Sequence, residues 1–209
     1  MGWRISCNGD ETEKADVKEK LKSLKDLDDD FGTEVDGNDI YFYSEVSRSS
    51  VLNLNRDIIT INKEVERLKT KFSGVVVPEI RLHINSGGGS LLDCFASVDY
   101  LRRSSVPVHS IVEGTAASAA TIMSVVCPKR SITKNSYMLI HQLSAGMWGK
   151  YEEMKDSIQN ADMFMERIKD IYGKHTKIPS SVLKDLLKRD LWLDAATCKK
   201  YGLVDNVID

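Results

Sequence analysis

The chain has 209 residues, of which 42% are hydrophobic and 29% charged, with a net charge of −2. At this size a chain hides about 70% of the surface it exposes when unfolded, so it builds a core without disulfides or metal, and the composition excludes global disorder. Its 29 basic and 31 acidic side chains lack the basic bias of nucleic-acid binders, and no apolar run approaches the roughly 18 residues a membrane span needs, so neither nucleic acid nor membrane is expected as a partner.

The start, Met1-Gly2-Trp3-Arg4-Ile5-Ser6, carries no hydrophobic run of the secretory kind. Its loose match to an acylation pattern arises easily by chance. Between Glu11 and Asp30 the residues Val17, Leu21, Leu24 and Leu27 form one apolar stripe among charges, which predicts an amphipathic helix stopped by Asp28-Asp29-Asp30 and Gly32. Residues 1–38 thus read as a charged extension ending in a linker from Gly32 to Asn38, and residues 39–209 as one domain.

From Asp39 strand-like and helix-like segments alternate. Ile40 to Tyr43 predicts a strand, and Leu54 to Phe72 a helix through Ile58, Ile61, Val65 and Leu68. Val75 to Ile84 is β-rich and runs into Asn85-Ser86-Gly87-Gly88-Gly89. A helix is expected over Leu91 to Arg103, a strand over Val106 to Val112, a small-residue helix over Ala116 to Val126 and a strand over Tyr137 to Ile140. Lys150 to Tyr172 predicts the longest helix, with Met154, Ile158, Ala161, Met165, Ile168 and Tyr172 alternating at spacings of four and three and Gly173 as its C-cap. Leu183 to Leu187, a strand at Leu191-Trp192-Leu193 and a helix from Asp194 to Tyr201 follow. Such alternation is the pattern of an α/β domain with parallel crossovers.

Four scattered cysteines (Cys7, Cys94, Cys127, Cys198) form no C-x-x-C pair and have no histidine at metal spacing. They read as small buried side chains in a reducing compartment, the cytoplasm, with no metal or cofactor expected. Two small-residue turns are candidates for chemistry. The glycines after Ile84 allow close backbone approach to an anion or oxyanion, although an ordinary tight turn is the commoner use. Neither the Walker spacing nor G-x-G-x-x-G is present. The second turn, Glu113 to Ala120, carries Ser118 at a helix start, where the Ala119 N–H could stabilise an oxyanion.

A serine needs a base. Among four histidines, His141 ends an apolar strand and can project into a cleft; His83 and His109 alternate with apolar residues and read as surface-facing or structural, and His175 as solvated. Asp190 is the first candidate for the carboxylate that orients the imidazole, with Asp185, Asp194 and Asp205 equally open by spacing.

From about Asp39 onward the chain resembles the proteolytic subunit of the Clp protease family (ClpP). The resemblance rests on Ile84-Asn85-Ser86-Gly87-Gly88-Gly89, Gly114 to Ala120, Met138-Leu139-Ile140-His141-Gln142 and Tyr201-Gly202-Leu203-Val204-Asp205, in that order. It implies an α/β, ClpP/crotonase-like fold of repeated β-β-α and βα units with a protruding handle helix at about 150–172. It implies a serine endopeptidase with Ser118 as nucleophile, His141 as general base and then acid, and Asp190 as orienter. Backbone N–H groups of Gly89 and Ala119 would form the oxyanion hole. The implied substrates are peptides or unfolded protein, the implied assembly is a homo-oligomer of rings stacked through the handle helix, and the implied partner is an AAA+ unfoldase.

The chain departs from the family pattern in places. Gly87 stands where a proline is common, Leu143 follows His-Gln where proline is usual, and Arg81 and His83 occupy a strand that often carries aromatic residues for unfoldase docking. Two alternatives stand beside the peptidase: a crotonase-like acyl-CoA enzyme, which needs no Ser-His pair, and a non-catalytic ring or assembly component.

Overall fold

The computed structural model describes residues 33–72 and 78–209. The expected amphipathic helix at Glu11 to Asp30 lies outside the described residues, as does Cys7.

The elements run β1 (Glu34–Asp36), β2 (Asp39–Phe42), α1 (Arg48–Lys71), β3 (Ile80–Ser86), α2 (Leu91–Arg103), β4 (Val108–Ala117), α3 (Ala119–Val125), β5 (Lys129–Thr133), β6 (Tyr137–Leu139), α4 (Tyr151–His175), α5 (Ser180–Leu186), β7 (Trp192–Asp194), α6 (Ala195–Lys200) and β8 (Asn206–Ile208). One mixed sheet joins the strands in the order β1-β2-β3-β4-β5-β8, with β6 on the far end of β4 and β7 beside β6. The pairs β2–β3, β3–β4, β4–β5, β4–β6 and β5–β8 are parallel, as helical crossovers require.

Several boundaries differ from the sequence expectation. Strand β4 runs on past Val112 to Ala117, so the helix expected from Ala116 starts only at Ala119, after the Ser118 turn. Part of the expected linker is a strand: Glu34–Asp36 pairs antiparallel with Asp39–Phe42 around Gly37, whose φ of +62° suits glycine. Helix α1 begins six residues earlier than the hydrophobic seam, at Arg48, because Ser47 and Ser50 close a reciprocal cap. Helix α4 runs through Gly173 to His175, with Thr176 as its cap, so Gly173 is not the C-cap and His175 is a half-buried helical residue instead of a solvated one.

The core explains these elements. Helix α1 buries Val51, Leu54, Ile58, Ile61 and Val65 on one stripe, while β3 alternates buried Ile80, Leu82 and Ile84 with more exposed neighbours. Each fully buried Leu or Ile stabilises the fold by about 1.5–3 kcal/mol. The seam of α4 is used only in part: Ile168 and Tyr172 are buried, but Met154 and Ile158 are exposed. Cys94, Cys127 and Cys198 are buried free thiols, and burial pushes those of Cys127 and Cys198 up to about 12. Among the described residues there is no cluster able to hold a metal ion and no helix long and apolar enough to cross a membrane.

What positions the site is strand β4. Its first half pairs with β5 from His109 to Val112, and its last residues, Thr115 to Ala117, pair with β6. On the other side β3 follows it to Val112 and rejoins at Ala116 after an irregularity. At Gly114, φ +77°, an added Cβ would press on the Asn85 side chain at 3.2 Å, so the detour needs a glycine. The C-terminal ends of three parallel strands, β3, β4 and β6, therefore meet at one edge, where ligands of open α/β sheets usually bind.

Candidate active site

Ser118 leaves β4 and begins α3, and it is the one non-glycine with positive φ among the described residues (φ 54°, ψ −123°). Such a conformation costs a non-glycine residue of order 1–3 kcal/mol and persists only when the surroundings over-determine it. They do so here. The Ser118 N–H donates to Leu139 O at 2.8 Å, and its C=O accepts from the Thr121 N–H at 3.1 Å and the Thr121 hydroxyl at 2.6 Å. The strand-to-helix turn thus lifts the hydroxyl off the sheet edge, the arrangement of a nucleophile elbow without the G-x-S-x-G spelling.

The glycine turn packs directly on it. A Cβ on Gly88 (φ +95°) would lie 2.7 Å from both Ala117 O and Ser118 Cβ, so only glycine lets the two backbones approach this closely. Gly89 is bridged to Val46: Val46 N–H donates to Gly88 O and Ser90 N–H to Val46 O, both at 2.7 Å. In that parallel pairing the N–H of Gly89 itself turns away from Val46. A Cβ on Gly89 would come within 2.3 Å of Val46 O. Gly87, in contrast, has open space around it.

A cleft of about 230 Å³ is lined by Gly89, Ser118, Ala119 and His141, with Ile122, Leu143, Ile168 and Tyr172 as its apolar wall. His141 follows β6, and its Nδ1 lies 3.4 Å from Asp190 Oδ1. That carboxylate is largely exposed, at 80% of its side-chain area, whereas the His141 side chain is 26% exposed. No direct hydrogen bond joins the Ser118 hydroxyl to His141 among the described residues. The structure therefore brings Ser118, His141, Gly89 and Ala119 to one cleft and sets Asp190 beside His141. Of the other acids, Asp194 caps α6 through Thr197 N–H at 2.8 Å and Asp205 pairs with Arg130 at 2.6 Å, so both are occupied elsewhere.

Two of the remaining histidines, His83 and His109, have structural partners. His83 stacks on Tyr41 and meets Asp39 at 3.0 Å and Glu113 at 2.9 Å. Asp39 also pairs with Arg81, and the bonds from Arg81 and then His83 hold its carboxyl below the usual range despite partial burial. His109 is buried, with Nε2 2.8 Å from the Ser131 hydroxyl and Nδ1 3.0 Å from Glu79, which also accepts from Lys129 at 2.7 Å. Burial pushes His109 below its ordinary value.

Sequence reasoning passed over Gly88, Thr121 and Tyr172. Thr121 had a local signal, since a threonine three residues after another can bond back to its carbonyl. Gly88 was one glycine among three, and Tyr172 stood in a helical seam with nothing to mark it.

An α/β sheet that delivers a strained serine, a histidine and a glycine to one cleft defines a candidate serine-hydrolase site. The family model of the Clp protease matches residues 47–209, and the chain belongs to that family. It is 33% identical over 133 residues to the ATP-dependent Clp protease proteolytic subunit of Deinococcus radiodurans, an alignment covering 63% of this chain and 65% of that protein. The resemblance read from the motifs and the ClpP-type α/β fold are thereby established.

Proposed function

We propose that this chain is a serine endopeptidase that cleaves peptides or unfolded protein inside a chamber built from copies of itself. The observation that carries the reading is the positive-φ turn at Ser118, facing the same cleft as His141 and packed against Gly88. In the mechanism, His141 takes the proton of Ser118 as the hydroxyl attacks the scissile carbonyl. The Gly89 and Ala119 N–H groups receive the developing oxyanion, the term that usually contributes most. His141 then returns the proton to the leaving amine, and Asp190 keeps the imidazole in the donating orientation. Water repeats the sequence on the acyl-enzyme. A rotation of the His141 side chain toward Ser118 is part of this reading, because catalytic hydrogen bonds often tighten only with substrate bound.

Assembly rests on the first half of α4 and the segment before it. Met147, Trp148, Tyr151, Met154 and Ile158 are exposed, Trp148 completely at 101%. Apolar side chains grouped in this way mark an interaction surface, and a second copy of the chain is the occupant this reading assigns. The strand face bearing Arg81 and His83 is held by the Arg81–Asp39 ion pair and by hydrogen bonds of His83 to Asp39 and Glu113, so an unfoldase that docks through apolar contacts meets a polar surface there. Small peptides are accordingly expected to be cleaved without ATP.

Covalent labelling by a fluorophosphonate, with fluorogenic peptide hydrolysis alongside, tests the chemistry. Labelling of the wild type and its loss in Ser118→Ala support the peptidase. Hydrolysis that survives the substitution removes Ser118, and acyl-CoA turnover in its place favours a crotonase-like enzyme. A monomer in light scattering at working concentration rejects the chamber.

A further inference from the structure

We propose that Tyr172 is a positioning residue for the peptidase reaction, acting through Thr121 to aim the Ala119 N–H into the cleft. This rests on the reading of Ser118 as nucleophile given above. The chain of hydrogen bonds has a definite direction. The hydroxyl of Thr121 lies 2.6 Å from Ser118 O, and a carbonyl oxygen can only accept, so the single Thr121 proton is committed there. The bond between Thr121 and Tyr172 must then be donated by Tyr172. Both residues are buried, Thr121 at 0% and Tyr172 at 1% exposure. Burial also raises the Tyr172 hydroxyl well above its ordinary value, so it keeps the proton it donates.

What the relay holds is one rigid unit. The C=O of Ser118 and the N–H of Ala119 belong to the same peptide plane and point in opposite directions across it. Fixing the carbonyl toward Thr121, on the α3 side, fixes the amide hydrogen on the other. With Ser118 N–H held by Leu139 O at 2.8 Å, both peptide planes flanking the serine are pinned, and the positive φ between them follows. Thr121 N–H alone holds the carbonyl less firmly, at 3.1 Å. Tyr172 sits in the last turn of α4 and lines the cleft, so the helix end and the serine turn are joined by this relay. Pre-aimed donors matter most where charge develops only in the transition state.

The test is a comparison of Tyr172→Phe, Thr121→Val and Thr121→Ser with the wild type, scored by kcat and KM for a fluorogenic peptide and by the rate of fluorophosphonate labelling. Phe keeps the ring and its packing and removes only the donated proton. Its kcat and labelling rate are expected to fall about 5- to 20-fold with KM within about two-fold, the size of one positioning hydrogen bond. Thr121→Val should fall at least as far, Thr121→Ser should recover most of the loss, and the double variant Tyr172→Phe/Thr121→Val should be no slower than Thr121→Val alone, since both break one relay. Wild-type kcat in Tyr172→Phe overturns the proposal. So do losses that multiply in the double variant, or a lowered melting temperature with kcat unchanged. A wild type without Ser118-dependent hydrolysis instead overturns the peptidase reading itself, which separates the two failures.

Discussion

Among the described residues, two places gather a serine, a histidine and a carboxylate, and the better-formed set is the one without a cleft. Around His109, Ser131 and Glu79 stand at 2.8 and 3.0 Å from the two ring nitrogens, whereas His141 lies 3.4 Å from Asp190 and has no bond to Ser118. Ser131 is 1% exposed within β5, between β4 and β8. No substrate carbonyl reaches a hydroxyl sealed inside a sheet. At Ser118 the hydrogen bonding is looser, but the backbone is strained, the glycines leave room and the cleft is open. Satisfied hydrogen bonds describe a pin; a reactive site keeps its groups partly unsatisfied until substrate arrives.

The comparison breaks most simply at the serines. Ser118→Ala is expected to lower peptide hydrolysis by about 10³-fold or more, while Ser131→Ala stays within about two-fold, measured on the same fluorogenic peptide. The reverse result would exchange the two sites. Next in size, Gly88→Ala drives a Cβ into the Ser118 turn at a φ of +95° and should cost about 10- to 100-fold in labelling rate. Gly87→Ala, in open space, should leave that rate unchanged within error. Asp190→Asn is expected to reduce kcat by about 10- to 100-fold, less than an enclosed orienting carboxylate would, because solvent already shares its charge. An unaffected kcat would reassign the orienter.

The smallest effect belongs to the closed set. Burial holds His109 below 6.5, so the unfolded chain takes up the proton first as pH falls. The stability from its neutral form is thus complete above 6.5 and is lost as the pH drops from there through the folded value. Urea midpoints at pH 7.5 and 5.5 should differ in the wild type and differ less in His109→Gln. The remaining slope falls to His175, which burial also lowers. An identical slope in the variant would show that His109 does not titrate on unfolding.

Much of this was legible in the chain. The stripe of α1, the alternation of β3 and the seam of α4 follow from apolar spacing, because periods of 3.6 and 2 leave little else for those residues to do. Ser118 and His141 stood out by their positions between small residues and at the end of an apolar strand. Strands β1 and β8 did not, since three exposed residues carry no burial pattern and gain strand character only from a partner. The seam of α4 likewise gave no sign that its outer half stays exposed. Local order therefore came from the sequence: which segments are helix or strand, where glycine breaks them, and which side chains could carry a proton. The tertiary structure alone decided that β4 exchanges β5 for β6, that Gly88 lies under Ser118, that Tyr172 reaches Thr121, and which of two Ser-His sets opens to solvent. Those outcomes depend on contacts between residues far apart in the chain, and no spacing rule contains them.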